Sequence, residues 1–210
     1  MVKVAVLIPM KGSDKVKSRL SGTLSRCQRI TLANNLLNRV VSAAKGSQVS
    51  SITVVGGGSL SREIARKFSV DWVETQGIDL NLELMNSVEV KKSQGFASIY
   101  FPGDLPFVKS SDVNKVIAGS NSGSQMVFVP SSSDGGTNCM LIPSYFDFPT
   151  LLGEDSLSKH CQAARVKDLG FIVLESTGMS IDLDTEVDLE RCEVLEPGFR
   201  ARLGESLVGR

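Results

Sequence analysis

Short apolar segments alternate with segments of helical spacing along the chain, and this alternation constrains the fold more than any other feature of the sequence. Residues 2–9 are β-branched and nearly all apolar, which is typical of a strand buried on both faces of a parallel sheet. From Arg26 to Lys45, apolar residues recur at helical spacing behind an N-capping Ser25, so a helix is predicted there. The same patterns predict strands at 52–55, 71–74, 97–101, 126–129, 139–142 and 171–174, and helices at 59–68, 80–92 and 155–169. Two further short helices are predicted, one capped by Ser110 and one capped by Thr185. Strands that alternate with helices indicate a layered α/β sheet.

Length and charge limit the class of protein further. The 210 residues suit a single domain, with residues 197–210 as a weakly periodic tail that is expected to fray or to pack on a partner. The 23 Lys and Arg residues balance the 23 Asp and Glu residues, so no excess positive charge is available for nucleic acid or an anionic membrane. No apolar run approaches the roughly 20 residues of a spanning helix, and residues 4–9 are too short for a signal peptide. A cytoplasmic protein without nucleic-acid or membrane partners is expected.

Cysteine and histidine usage restricts the chemistry. The four cysteines form no CxxC pair, and His160 is the sole histidine, so a structural zinc site is not expected. A nucleophilic triad would have to be built around His160, and the sequence holds no GxSxG elbow to support it. Carboxylates, lysines, backbone donors and a divalent metal remain as the chemical groups for this chain.

The loop after the first strand is rich in basic residues. Lys11, Lys15, Lys17 and Arg19 lie beside Gly12 and Ser13, whose backbone amides could approach an anion closely. In open α/β sheets, ligands bind outside the carboxyl ends of the strands, which is where this loop is expected. A polyphosphate site is one interpretation, and a solvated basic loop is the more common one for four clustered charges. The loop is neither a Walker A motif nor a GxGxxG motif.

Acidic residues follow two other predicted extended segments. Asp104 comes just after the strand at 97–101, and Asp182 and Asp184 lie two residues apart in the extended piece at 181–184, so both can project to one side. Carboxylates that converge at one sheet edge suit magnesium, which takes one or two of them together with phosphate and water oxygens. An N-capping role for Asp104 and ordinary turn roles for the pair are equally open alternatives.

Two further loops are suited to anions. Residues 134–138, with the sequence DGGTN, offer glycine amides and a threonine hydroxyl, although a tight hairpin is the simpler interpretation. Residues 153–156, with the sequence GEDS, open a predicted helix whose first amides and dipole would attract an anion. Capping by Asp155 or Ser156 is the alternative there.

The order of these motifs resembles a known family. The segments IPMK, KSRL, GIDLNLEL, PGDLPF, GGTNCMLI, GEDSLSKH and IDLDTEVDL, spread over residues 4–189, are similar to the 2-phospho-L-lactate and phosphoenolpyruvate guanylyltransferases of deazaflavin coenzyme biosynthesis. These enzymes are relatives of the molybdenum-cofactor guanylyltransferases. The resemblance implies a three-layer α/β/α Rossmann-like nucleotidyltransferase fold with a mostly parallel central sheet. It also implies transfer of GMP from GTP to 2-phospho-L-lactate or phosphoenolpyruvate with release of pyrophosphate.

The resemblance also implies roles for particular residues. Two Mg²⁺ ions would be held by Asp104, Asp182 and Asp184, and the catalytic residues would be Asp104 and Lys11. The nucleotide would be bound by Pro9, Lys11, Lys17, Arg19 and Asn81. The phosphorylated acid would be bound by Thr137, Gly153 and Ser156. His160 matches a histidine of the family, and we expect it to support packing or another site residue rather than to react. The family commonly forms homodimers. The alternatives are a nucleotidyltransferase for a sugar phosphate or molybdopterin, and a GTP-binding subunit without catalysis.

Overall fold

Seven strands form one mixed, mostly parallel sheet in the structure, a computed structural model that describes residues 2–11, 16–76 and 79–202. The strands are β1 (Val4–Met10), β2 (Ser51–Gly56), β3 (Asp71–Val73), β4 (Ala97–Tyr100), β5 (Met126–Pro130), β6 (Thr137–Ile142) and β7 (Phe171–Val173). Their order across the sheet is β3-β2-β1-β4-β6-β5-β7. All neighbouring strands are parallel except for β6, which is antiparallel to both β4 and β5. The predicted mostly parallel sheet is therefore confirmed.

Helices cover both faces of this sheet. They are α1 (Arg26–Lys45), α2 (Gly58–Phe68), α3 (Leu80–Ser93), α4 (Ser110–Gly119), α5 (Ser156–Val166), α6 (Thr177–Ser180) and α7 (Glu186–Leu195), and short 3-10 helices occur at Ser18–Leu20 and Arg200–Arg202. Alternate residues of β1 show the layering: Val6 and Ile8 pack into a cluster with α1, whereas Leu7 packs into a cluster with α3 on the other face. The predicted three-layer α/β/α architecture is confirmed.

Helix ends account for most of the differences from the predicted boundaries. Lys109, not Ser110, is the N-cap of α4, and its backbone amide is bound by Asp112 in the first turn. The helix α5 ends at Val166 because Asp168, with a φ of 53°, turns the chain into β7. The four-residue helix α6 was not predicted, since so short a segment has no helical period to detect.

The beginning of the predicted tail belongs to the core. Phe199 is fully buried in a third apolar cluster, where it packs with residues of α1 and α7, and its ring lies 5.8 Å from that of Phe107. Within residues 197–202, Phe199 thus packs on its own domain, whereas Pro197, Arg200 and Ala201 are exposed, and a frayed or partner-packed tail stays a prediction. Residues 203–210 lie outside the described residues. No helix in the described part of the chain is both long and apolar enough to cross a membrane.

Candidate active site

A cavity of about 890 Å³ lies at the carboxyl edge of β1 and β4. The two strands are parallel, so the loops that follow them reach the same edge. The antiparallel strand β6 brings its first residues there instead of its last ones. The predicted site residues that line this cavity are Pro9, Lys11, Lys17, Arg19, Asp104, Thr137, Gly153, Ser156, Asp182 and Asp184. Side chains from six loops and element ends, distant in the sequence, therefore share one space.

Asn81 is the predicted site residue that does not line the cavity. Its side-chain amide donates to the carbonyl of Leu152 and accepts from the amide of the same residue, at 3.2 and 2.7 Å. Its backbone carbonyl accepts from the hydroxyl of Thr150. Asn81 therefore holds the segment that leads to Gly153, and its contact with a nucleotide stays a prediction. Gly12, Ser13 and Lys15 of the basic loop lie outside the described residues.

Lys17 joins two of the predicted metal ligands. Its ammonium group donates to Asp104 at 2.7 Å and to Asp184 at 2.8 Å, and only 6% of its side chain is exposed. Burial alone would lower the pKa of Lys17, but the two carboxylates outweigh it and the pKa is raised. Lys11 and Arg19, by contrast, are exposed, as a solvated basic loop would be. The structure thus places a positive charge between two carboxylates for which the family resemblance implies magnesium.

The three aspartates have different environments. Burial raises the pKa of Asp182, and the nearby carboxylate of Asp104 adds to the rise, although the amide of Asn138 binds the Asp182 carboxylate at 3.1 Å. Burial would also raise the pKa of Asp184, yet Lys17 outweighs it and the pKa is lowered. In the part of the chain that the structure describes, the buried Oδ1 of Asp104 has no hydrogen-bond donor.

These environments bear on the predicted metal site. Within residues 2–11, 16–76 and 79–202, no three His, Cys, Asp or Glu side chains are close enough to form a metal-binding group. Asp104 and Asp184 nevertheless contact the same cation, and Asp104 keeps a buried oxygen without a partner. Oxygen ligands of this kind suit Mg²⁺, so the residues fit the ion chemically, although Lys17 contacts two of them in the structure. The alternative role of Asp104 as a helix cap is excluded, because Lys109 has that position.

Two hydroxyl side chains, those of Thr137 and Ser156, line the other part of the cavity. The amide of Gly136 is bound by Asp134 at 2.9 Å, and the amides of residues 155–157 donate to backbone carbonyls. These four amides are therefore already bound within the protein, and residues 134–136 lie in the hairpin connection that was the alternative, while an anion site at Gly153 stays a prediction. The hydroxyls of Thr137 and Ser156 are the predicted acceptor-binding side chains of this half.

Thr137, Ser156 and His160 form one hydrogen-bonded group. The amide of Thr137 donates to Oγ of Ser156 at 2.8 Å, and Oγ1 of Thr137 lies 2.9 Å from Nδ1 of His160. The amide of Leu151 donates to Nε2 of the same imidazole at 3.0 Å. His160 is fully buried, and its ring stacks on that of Phe128. Packing and hydrogen bonding thus agree with the supporting role expected for His160.

Sequence reasoning missed Asn138 and the pairing of Lys17. Asn138 follows Thr137 in the GGTN motif, and the alternation of side chains along a strand would have placed the two on opposite sides. The pairing of Lys17 had no such signal, because its partners are distant in the sequence: Asp104 lies 87 positions away and Asp184 lies 167 positions away.

Curated relatives of known name resemble the chain over most of its length. It is 27% identical to a phosphoenolpyruvate guanylyltransferase of Thermobaculum terrenum, with 97% of this chain and 94% of the relative covered. It is 30% identical to a protein of the same name from Roseiflexus sp. strain RS-1, with 89% and 83% covered. A 2-phospho-L-lactate guanylyltransferase of Methanothermobacter thermautotrophicus is 28% identical, with 96% and 89% covered.

Solved structures resemble the fold. A Desulfovibrio desulfuricans G20 protein assigned to the nucleotide-diphospho-sugar transferases superposes with a TM-score of 0.79 at 16% identity, covering 99% of this chain and 93% of its own. The CMP:2-keto-3-deoxy-manno-octonic acid synthetase complexed with CTP superposes with a TM-score of 0.61 at 14% identity, covering 92% and 98%. At these identities the likeness is one of fold, and the fold is that of nucleotidyltransferases.

The family assignment rests on nearly the whole sequence. Residues 4–199 match the family described as guanylyl transferase CofC like, and this range includes every strand of the sheet and every residue assigned to the cavity. The chain therefore belongs to the CofC-like guanylyl transferases, and it is a nucleotidyltransferase.

Proposed function

We propose that this enzyme transfers GMP from GTP to the phosphate of a three-carbon phosphorylated acid, phosphoenolpyruvate or 2-phospho-L-lactate. The observation that carries the proposal is the division of one cavity into a charged half, with Lys11, Lys17 and Arg19 beside three aspartates, and a hydroxyl half around Thr137. The names of the relatives support the choice of GTP and of these acceptors.

The reaction forms one phosphoanhydride bond and breaks another. An oxygen of the acceptor phosphate attacks the α-phosphorus of GTP, the bond from that phosphorus to the bridging oxygen breaks, and pyrophosphate leaves with the electron pair. The second pKa of a phosphate monoester is about 6, so the attacking group is largely dianionic at neutral pH and needs no general base. This agrees with the fact that the sole histidine is buried away from the cavity lining.

The main obstacle is repulsion between two anionic substrates. Lys11 and Arg19 are placed to attract the triphosphate, because both lie close enough to lower the pKa of Asp184 at the same edge. Asp104, Asp182 and Asp184 would hold Mg²⁺, which neutralises phosphate charge when bound. Lys17 compensates two of these carboxylates in the structure, and we propose that it turns to the phosphates once the carboxylates bind metal.

An acceptor assay tests the proposal. The purified chain is incubated with GTP, Mg²⁺ and either phosphoenolpyruvate, 2-phospho-L-lactate or a sugar phosphate, and pyrophosphate release is followed together with the guanylylated product. We expect release with a three-carbon acid. Release with the sugar phosphate alone would favour the alternative acceptor class, and no metal-dependent release with any acceptor would favour a non-catalytic GTP-binding subunit.

Asp104→Asn tests the role of the carboxylates. We expect kcat to fall by at least about 100-fold, because the variant keeps the shape of the side chain but loses its charge. Asp147→Asn is the matched control, since Asp147 is an exposed carboxylate whose ion pair with Lys167 lies outside the cavity. Near-normal turnover of Asp104→Asn would contradict the proposed metal site. A homodimer and a cytoplasmic location remain predictions, the first of which can be checked by light scattering.

A further inference from the structure

His160 is a buried polar group that the proposed chemistry does not use. Its side chain is enclosed by apolar rings, with the centroid of Phe128 at 5.6 Å and that of Phe148 at 6.0 Å. A fully buried imidazole loses its hydration, so each ring nitrogen needs a partner within the protein. Both nitrogens have one, and the identity of these partners determines where the ring carries its proton.

The amide of Leu151 fixes the tautomer. A backbone N–H can only donate, so Nε2 of His160, at 3.0 Å from it, must be the acceptor and carry a lone pair. Burial lowers the pKa of His160 to about 4, and Lys159 contributes to the same shift, so the ring is neutral near pH 7. A neutral imidazole has one N–H, which must then be on Nδ1.

The proton on Nδ1 sets the direction of the Thr137 hydroxyl. Nδ1–H donates to Oγ1 of Thr137 across 2.9 Å, so the hydroxyl proton of Thr137 cannot point at the imidazole and is free to be donated elsewhere. The hydroxyl of Ser156 can also donate into the cavity, because its Oγ accepts from the amide of Thr137 and its own proton is not used in that bond. Both hydroxyls line the cavity.

We propose that His160 is a positioning residue that, held as the Nδ1–H tautomer by the amide of Leu151, turns the hydroxyl of Thr137 into a donor for the anionic acceptor. The inference rests on the proposed function for the identity of that acceptor. Phosphate and carboxylate groups of a phosphorylated acid offer only acceptor oxygens at neutral pH, so a hydroxyl binds them by donating. With the opposite tautomer, Thr137 would donate to the ring and present lone pairs to the anion.

Two substitutions separate the two hydrogen bonds of the ring. In His160→Asn, the side-chain amide nitrogen can take the position of Nδ1 and still donate to Thr137, while the bond from Leu151 is lost. In His160→Gln, the amide oxygen can take the position of Nε2 and still accept from Leu151, while the donor to Thr137 is lost. Both variants remove the aromatic stacking on Phe128, so each is the control for the other.

The kinetic test uses phosphoenolpyruvate as the acceptor probe. We expect His160→Gln to raise the KM for phosphoenolpyruvate about tenfold or more, the size of one lost hydrogen bond to a charged group, with the KM for GTP unchanged. His160→Asn should keep both values near those of the wild type. In a Thr137→Val background the difference between the two variants should disappear. The proposal would be overturned if His160→Asn and His160→Gln raised the KM for phosphoenolpyruvate equally, or if the KM for GTP rose as much as that for phosphoenolpyruvate.

A second measurement needs neither activity nor a variant. Because the chain has a single histidine, a long-range proton–nitrogen NMR spectrum of the full-length protein contains one imidazole. We expect its Nδ1 to be protonated and its Nε2 to be unprotonated near pH 7. The opposite tautomer would overturn the proposal even if GMP transfer is confirmed. If transfer with three-carbon acids fails while this tautomer is observed, the proposed function is wrong and the orientation of Thr137 still holds.

Discussion

Acidification should destabilise this protein through His160 more than through an ordinary surface histidine. The pKa of His160 is about 4 in the folded state, whereas its ordinary pKa of 6.5 applies in the unfolded chain. Between these values the unfolded state holds more protons than the folded state, so the free energy of unfolding falls as the pH falls. Above the unfolded value both states are neutral, and the effect of this group vanishes.

The size of the effect follows from the two pKa values. At about pH 5 the unfolded histidine is almost fully protonated and the folded one is almost fully neutral. The 1.5 pH units between that pH and the unfolded pKa, at 1.36 kcal/mol each, correspond to a loss of about 2 kcal/mol relative to pH 7. This is a large fraction of the stability of a typical domain.

Urea denaturation of the wild type and of His160→Gln at the two pH values isolates this contribution. Aspartates and glutamates titrate in both proteins, so they cancel in the difference between them. We expect the wild type to be the more stable protein at pH 7, and its advantage over the variant to shrink by about 2 kcal/mol at pH 5. The reasoning is refuted if the advantage is the same at both pH values, or if NMR titration finds an ordinary pKa for the lone histidine.

Three further predictions concern the charged half of the cavity and the core. Lys17→Met should lower the free energy of unfolding by roughly 2–3 kcal/mol in metal-free buffer, because it leaves Asp104 and Asp184 without their cation. Mg²⁺ should restore part of this loss, and a melting temperature that does not respond to Mg²⁺ would argue against these carboxylates as Mg²⁺ ligands. Asn138→Ala removes a hydrogen bond that lowers the pKa of Asp182, so the acidic limb of the pH–rate profile should move to higher pH, and a limb that stays in place would exclude Asp182 from catalysis. Phe199→Ala should cost about 3–5 kcal/mol in chemical denaturation, and a loss below about 1 kcal/mol would mean that the tail is not part of the core.

Elements with a clear hydrophobic period were predictable from the sequence. The helix α1 was predicted with its exact bounds because an N-capping Ser25 precedes apolar residues repeated over 20 positions, and the structure adds a capping box with Gln28. The strand β1 is buried on both faces, and its nearly continuous apolar run indicated this directly. Four-residue α6, by contrast, shows no period, and its position follows from tertiary packing alone.

The site was predictable as a set of residues but not as a set of contacts. The basic loop and the aspartates were placed at one edge by the topology of parallel strands, and the structure brings them together. The sequence could not show that the amide of Gly136 is occupied by Asp134, since a glycine-rich loop looks the same whether its amides are free or bound. The sequence also could not show that the side chain of Asn81 bonds to the backbone of Leu152, because a motif does not indicate what a residue contacts.

The reversed direction of β6 has a mechanical consequence. Thr137 and Asn138 are consecutive, yet the first bonds to His160 and the second to Asp182, so one peptide unit separates the two hydrogen-bonded groups. Residues 140–142 of β6 pair with β4, whereas Thr137 pairs with Pro130 of β5 alone, and the register of β5 and β6 shifts next to Asn138. A one-residue slip in the register of β6 would exchange these two side chains between sides, whereas a longer turn within residues 131–135 that keeps the register should be tolerated.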